Sequence, residues 1–256
     1  AVNIINSKRV LNWIEKAVKV IYEKFDIILV GSKSFIEIVL QRVPHERVYY
    51  FPNWAEKIIE ENKINHRLKI ELNSKALKIM YTGNLGTAQD FSTLCKVIIQ
   101  NKSENIQWIF MGDGRFKEEM KQLLSDERRK NKVLFIPQQN IETLPTWVAK
   151  ADFLYLSLNN SKLFRQTVPA KLQGYMAMGK PILGMLAGEG ASIIEEAECG
   201  FIAPPGNTIK LNEQIKTILN TTMEERKNIG LKGKTFYKKN FSSKIRKKEL
   251  IAYIKN

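Results

Sequence analysis

Residues 77–115 read LKIMYTGNLGTAQDFSTLCKVIIQNKSENIQWIFMGDGR, and this stretch decides the fold. Leu77–Tyr81 is a short apolar run that ends at a glycine turn, Thr82-Gly83-Asn84-Leu85-Gly86-Thr87. Phe91–Gln100 then carries apolar side chains at helical spacing, and Gln107–Met111 is a second apolar run ending at a second glycine turn, Gly112-Asp113-Gly114-Arg115. A strand of this length without polar alternation is buried on both faces, and two such strands separated by a helix form a parallel crossover unit.

The pattern continues downstream. Further strands are expected at Val133–Ile136, Phe153–Ser157, Pro181–Gly184 and around Phe201. Helices are expected at Arg115–Leu124, Ile141–Ala149, Lys171–Met178, Ala191–Ala197 and Ile209–Asn220. Six short strands alternating with helices predict an α/β fold with a doubly wound parallel sheet over residues 77–222. Upstream the same alternation is present but incomplete. A helix over Leu11–Phe25 precedes a strand at Asp26–Val30, a turn at Gly31–Ser34 capping a helix through Leu40, and a strand at Val48–Phe51. Glu56–Asn73 is polar and reads as a surface helix followed by linker, and residues 223–256 are helical and basic, with Phe236, Tyr237 and Phe241 as apolar contacts.

Composition narrows the function classes. The chain has 256 residues and is 44% hydrophobic, enough for a sizeable core. No apolar run reaches the ~20 residues of a membrane span, and the first residues lack the apolar core of a signal peptide, which points to a cytoplasmic protein. Cys95 and Cys199 sit in apolar stretches and read as buried free thiols, while His45 and His66 form no metal-finger spacing with them. Forty-one Lys and Arg against 26 Asp and Glu give a net charge of +15, which attracts anions of any kind. A nucleic-acid binder is not expected, because the chain has no aromatic platform or recognised module.

Ligands of open α/β sheets lie beyond the carboxyl ends of the strands, where loops enter helix N-termini. Four loops are candidates. The first offers Gly83, Asn84 and Gly86, and the second Gly112, Asp113, Gly114 and Arg115. In both the glycines permit close backbone approach to phosphate or sugar oxygens, though a tight structural turn also wants glycine. The third, with Pro137 and Gln138, presents groups suited to a base edge. The fourth is the richest: Thr167, Val168, Pro169 and Ala170 lead into a helix start flanked by Arg165 and Lys171, an anion site built without a metal.

The ordered set GNLGTAQD (83–90), GDGR (112–115), TVPAKLQ (167–173), YMAMGKPI (175–182), GEGA (188–191) and EAECG (196–200) resembles the retaining glycosyltransferases of family 4. The segment FPNWAE (51–56) is similar to the interdomain strand and linker of members that act in capsule and O-antigen synthesis. The resemblance implies the GT-B fold, two Rossmann-like domains facing across a cleft, with acceptor on the N-terminal one and nucleotide sugar on the C-terminal one. It implies that residues 1–52 are the end of the acceptor domain, with on the order of 100 residues of that domain absent. Residues 53–76 would then be the interdomain linker, 77–222 the nucleotide-sugar domain, and 223–256 helices crossing back toward the N-terminal domain.

The activity implied is metal-independent transfer of a sugar, with retention, from a nucleoside diphosphate sugar, UDP most often, to a lipid-linked saccharide. An anionic membrane surface is a further expected partner, through Lys8, Arg9, Lys16 and Lys19. Two departures stand out. Family members carry two glutamates eight positions apart before the Gly-Lys-Pro turn, and this chain has Gln166 and Gly174 there. The cations that usually follow the first glycine loop are missing between Asn84 and Asp90. Glu189 and Glu196 are the available replacement carboxylates for ribose, Glu196 slightly favoured, or else plain surface groups. The alternative functions are an inactive nucleotide-sugar binder and a nucleotide-sugar epimerase on the same scaffold.

Overall fold

The computed structural model describes residues 7–65, 71–101, 103 and 105–255, so His66 and the linker at 66–70 lie outside the described residues. The first block runs α1 (Lys8–Glu23), β1 (Ile28–Val30), α2 (Ile36–Leu40), β2 (Val48–Tyr50) and α3 (Lys57–Glu61). The second opens with β3 (Leu77–Thr82), α4 (Phe91–Gln100), β4 (Ile106–Met111), α5 (Lys117–Leu123), α6 (Ser125–Arg129) and β5 (Val133–Ile136). It continues with α7 (Leu144–Ala149), β6 (Phe153–Ser157), α8 (Lys162–Arg165), α9 (Ala170–Ala177), β7 (Ile182–Met185), α10 (Glu189–Glu196), β8 (Gly200–Ala203) and α11 (Thr208–Leu219). The chain ends in α12 (Met223–Asn240) and α13 (Ser243–Lys255).

The second block is a six-stranded parallel sheet in the order β5-β4-β3-β6-β7-β8. The chain winds outward from β3 to β5, returns to the centre at β6 and winds out again to β8, so the strand order reverses between β3 and β6. That switch point is where the first turns of the flanking helices diverge and leave a crevice. Each strand buries alternate residues in two separate cores. Met80, Ile109, Leu154 and Leu156 face one side with α9 and α10, whereas Ile79, Trp108, Phe110, Phe153 and Tyr155 face the other with α4 and α11.

Helix ends follow local chemistry. Asp90 accepts from the Thr93 N–H at the start of α4, Asn207 caps α11, and Thr222 with Glu225 forms a capping box at α12. α12 crosses α9 closely because Gly230 sits against the Gly179 carbonyl and Gly233 against Cys199, where a methyl group would collide. Cys95 and Cys199 are buried and free, and burial pushes both thiols up to about 12.

The first block is different. β1 and β2 form only a two-stranded parallel sheet, with a small core of Val30, Val39, Val43 and Val48. The expected helix through Leu40 is a 3-10 turn at Lys33–Phe35 followed by α2, and Ser32 does not cap it, its hydroxyl being engaged elsewhere. Among the described residues the polar segment after Glu56 is helical over α3, whose Ile59 is buried against the second block together with Ala55. α13 returns to the first block, where Tyr253 stacks on Tyr49 at 4.4 Å. Among the described residues no helix is long and apolar enough to cross a membrane.

Candidate functional site

A cleft of about 580 Å³ opens beyond the carboxyl ends of β3, β4 and β5, against the start of α9. Its floor is the pair of glycine loops. The strand ladder runs on past the strands: Gly83 N–H donates to the Met111 carbonyl (2.8 Å), Gly112 N–H to Ile136 (3.0 Å) and Leu85 N–H to Asp113 (2.7 Å). Gly83, Gly112 and Gly114 all have positive φ, and a side chain on Gly112 or Gly114 would run into the backbone of the first loop. These two glycines therefore let one loop lie on the other. Gly83 differs, because the nearest atom to a methyl group there is Lys171 Cε at 2.6 Å.

Lys171 is the electrostatic centre of the cleft. It stands in the first turn of α9, and its Nζ donates to the Tyr81 hydroxyl (2.9 Å) and lies 4.8 Å from that ring's centroid. Tyr81 in turn donates to the Asn84 carbonyl at 2.7 Å, which fixes the hydroxyl as an acceptor toward Lys171. Among the described residues no carboxylate forms an ion pair with this ammonium. Burial lowers its pKa, because a cation stripped of water is disfavoured until an anion arrives. Pro169 is the residue before α9 and no side chain caps that end, so the first N–H groups of α9 add their dipole to the same cleft.

The opposite wall suits a flat ring: Gln138 and Gln139 present amides, and Ile141 and Leu144 an apolar face. Asn84 and Asp113 also line the cleft. Asp113 is exposed, its carboxylate accepting from the Gly114 N–H at 2.8 Å and lying 3.8 Å from Lys117 Nζ. Gly86 lies outside the cleft, its N–H held by Gln89 at 3.1 Å, and Arg115 and Pro137 are exposed beside it. Val168 is in the core, Ala170 is exposed, and the Thr167 hydroxyl donates to the Leu163 carbonyl.

Three expected positions change role. Arg165 does not join Lys171: its guanidinium Nε donates to Asn160 Oδ1 at 2.8 Å on the exposed side of α8. Glu189 is not free for a ribose, because its carboxylate accepts from the N–H groups of Lys33 (2.7 Å) and Ser34 (2.8 Å) and from the Ser32 hydroxyl. Partial burial pushes the Glu189 pKa up, but these hydrogen bonds outweigh it and hold the group below the usual carboxylate range. Glu196 ends α10 and lines a different cavity, since the helix carries it away from the strand ends. Gln166 takes part through its backbone, its carbonyl oxygen sharing the single Ser32 hydroxyl hydrogen with Glu189. Gly174 has open space where a side chain would project.

Tyr81 and Ser32 were not singled out from sequence. Tyr81 had a usable signal, the penultimate position of a strand running into a glycine turn, whereas Ser32 meets Glu189 across 157 positions of chain. Among the described residues no group of three or more His, Cys, Asp or Glu could hold a metal ion.

Known proteins share this architecture. The solved structure of Anabaena HepE in complex with UDP and glucose superposes with a TM-score of 0.72 at 16% identity, covering 94% of this chain and 66% of that one. WaaG, a glycosyltransferase involved in lipopolysaccharide biosynthesis, matches with a TM-score of 0.68 at 16% identity, over 86% of this chain and 60% of that one. A putative colanic acid biosynthesis glycosyl transferase of Escherichia coli, WcaI, is 23% identical over 154 residues, which are 58% of this chain and 37% of that protein. The chain thus spans well under two-thirds of that curated relative's length. The model of the family described as glycosyl transferases group 1 matches residues 62–236, which takes in the whole sheet, the cleft and most of α12, and the chain belongs to that family.

Proposed function

We propose that the cleft holds the diphosphate and base of a nucleotide sugar, a UDP-sugar first among them, and that the sugar is transferred with retention to a lipid-linked saccharide in surface polysaccharide synthesis. The observation that carries this reading is Lys171, an ammonium in the cleft wall with a tyrosine hydroxyl as partner and no carboxylate. Departure of the sugar leaves negative charge on the diphosphate, and a fixed cation beside free helix N–H groups stabilises that charge. A pyrimidine placed against Ile141 and Leu144 would find Gln138 and Gln139 at its polar edge. HepE was solved with UDP and with UDP-glucose, which supports the choice of donor.

The acceptor half of the proposal rests on the first block. A two-stranded parallel sheet is not stable by itself, and such sheets are covered on both faces. Here α1 buries no residue fully, and Trp13 is 71% exposed. We infer that residues 1–52 are part of a larger acceptor-binding domain, and that the cations of α1 lie on its outer face, where an anionic membrane would be met.

A second reading, a nucleotide-sugar binder without transfer, is favoured by one observation: with Gln166 and Gly174 at the glutamate positions, the nearby Glu189 is already taken by residues 32–34. A thermal-shift screen in the presence of EDTA tests the donor site itself, and conversion of the donor sugar without any acceptor would mark the epimerase alternative. Saturation at about 100 times Kd stabilises by about 2.7 kcal/mol, roughly 5–10 °C here. UDP or a UDP-sugar giving that shift without divalent ions supports the donor site, and transfer to a lipid-linked saccharide by the protein decides for the enzyme. No shift with UDP-, GDP- or ADP-sugars, or a shift only with added metal, would contradict the reading.

A further inference from the structure

A second cavity of about 410 Å³ lies where the first block meets α10, α12 and α13, within the roughly 300–1,000 Å³ usual for small-ligand sites. It shares no lining residue with the donor cleft. Its walls combine aromatic rings with polar groups of both signs. Phe236, Tyr50 and Tyr253 supply rings, while Glu189, Glu196 and Glu249 stand against Lys33 and Arg246.

Several of these groups are already occupied. Glu189 is held by residues 32–34, and Glu249 pairs with both terminal nitrogens of Arg246 at 2.7 and 2.8 Å. What remains is a mixed set. Arg246 is only 5% exposed, and its Nε is closed off from the cavity, so it backs the wall without offering a contact. Glu196 has no ion-pair or hydrogen-bond partner among the described residues, and the Asn240 amide nitrogen donates to Phe236, leaving its oxygen as an acceptor. Burial pushes the Tyr50 hydroxyl up to about 12, so it stays a donor at neutral pH.

This set discriminates between ligand classes. A phosphate would face three carboxylates with one unpaired cation. An ammonium would compete with Lys33, whose Nζ already lies 5.6 Å from the Tyr50 centroid. An apolar molecule would offer nothing to the Tyr50 hydroxyl and the Asn240 oxygen, which is costly once water is displaced. A pyranose suits the groups that remain: its C–H face covers an aromatic ring, and each hydroxyl both donates and accepts, so one ligand serves the Glu196 carboxylate, the Asn240 oxygen and the Tyr50 hydroxyl.

We propose that this junction pocket binds one saccharide residue, separately from the donor cleft and without depending on it. Because its walls come from both blocks, the bound sugar also holds the first block against the second. The test is saturation-transfer NMR on the whole chain with the methyl glycosides of glucose, galactose and N-acetylglucosamine. Ligands of this size bind with Kd on the order of 1 mM.

The expected result is transfer to at least one glycoside, undiminished by saturating UDP and by Lys171→Met, and weakened about tenfold or more by Glu196→Ala. Ser192→Trp, which fills the pocket from an exposed rim position, should block it and guards against misfolding of the first variant. No transfer to any glycoside at about ten times that Kd would overturn the proposal. So would transfer that UDP competes away, or transfer that both variants leave intact. A chain that binds a glycoside here but no UDP would remove the donor reading and leave this one standing.

Discussion

The two parallel sheets of this protein end their strands in opposite ways. Past β3 and β4 the backbone ladder simply continues, through Gly83, Leu85 and Gly112, so the loops are tied to each other and Lys171 is left without an opposite charge among the described residues. Past β1 the turn at Ser32–Ser34 has no such ladder and spends its N–H groups on Glu189 of the other block. A sheet that supports its own loops can hold a charged group ready for a ligand. A sheet of two strands takes its order from its neighbour, and the carboxylate that provides it is no longer available for chemistry.

The strongest way to break this contrast is Gly112→Ala. The methyl group would meet the Gly83 carbonyl at a positive φ, so the two loops must separate. We expect a loss of about 3 kcal/mol or more, a fall in Tm of roughly 6–12 °C, and no UDP binding. An alanine protein with normal stability would mean that the loops are not packed as described.

Glu189→Gln tests the other side. It removes the charge from three hydrogen bonds at a partly exposed site, which we expect to cost about 1 kcal/mol after screening. The pH dependence gives the sign. The folded pKa is depressed, so the stabilisation is present above the unfolded carboxylate value of about 4.3 and is lost as pH falls through the folded value. Urea titrations should therefore differ between wild type and variant at pH 7 and converge in acid. A gap that stays constant into acid would place the effect elsewhere. The smallest change is expected from Trp13→Ser on the open face of α1, within about 0.5 kcal/mol of wild type, as for surface sites that bury nothing. A large destabilisation would show that α1 is covered, by a second copy for example.

The same contrast explains what could be read from sequence. Buried strands of this sheet are short, mostly apolar runs, and β5, β6 and α4 coincide with their expected limits. The place of Lys171 in the cleft wall is legible because it follows a proline in the first turn of a helix, a local arrangement. The roles of Glu189, Glu196 and Arg165 were not legible. Glu189 is decided by a contact with residues about 155 positions earlier, Glu196 by the direction in which α10 leaves the sheet, and Arg165 by Asn160 on its own loop. Side chains whose partners come from another block carry no periodic signal.

If Lys171 is the cation of a nucleotide-diphosphate site, UDP titration of Lys171→Met beside Arg165→Ala will show it. Loss of one charge-assisted contact costs about 1.5–3 kcal/mol, so Lys171→Met should bind UDP at least about tenfold more weakly while Arg165→Ala stays near wild type. Because burial lowers the Lys171 pKa, wild-type affinity should also begin to fall at a lower alkaline pH than an exposed lysine would give, and Lys171→Met should not show that fall. Unchanged UDP affinity in Lys171→Met, or a greater loss in Arg165→Ala, would contradict the account and move the diphosphate out of this cleft.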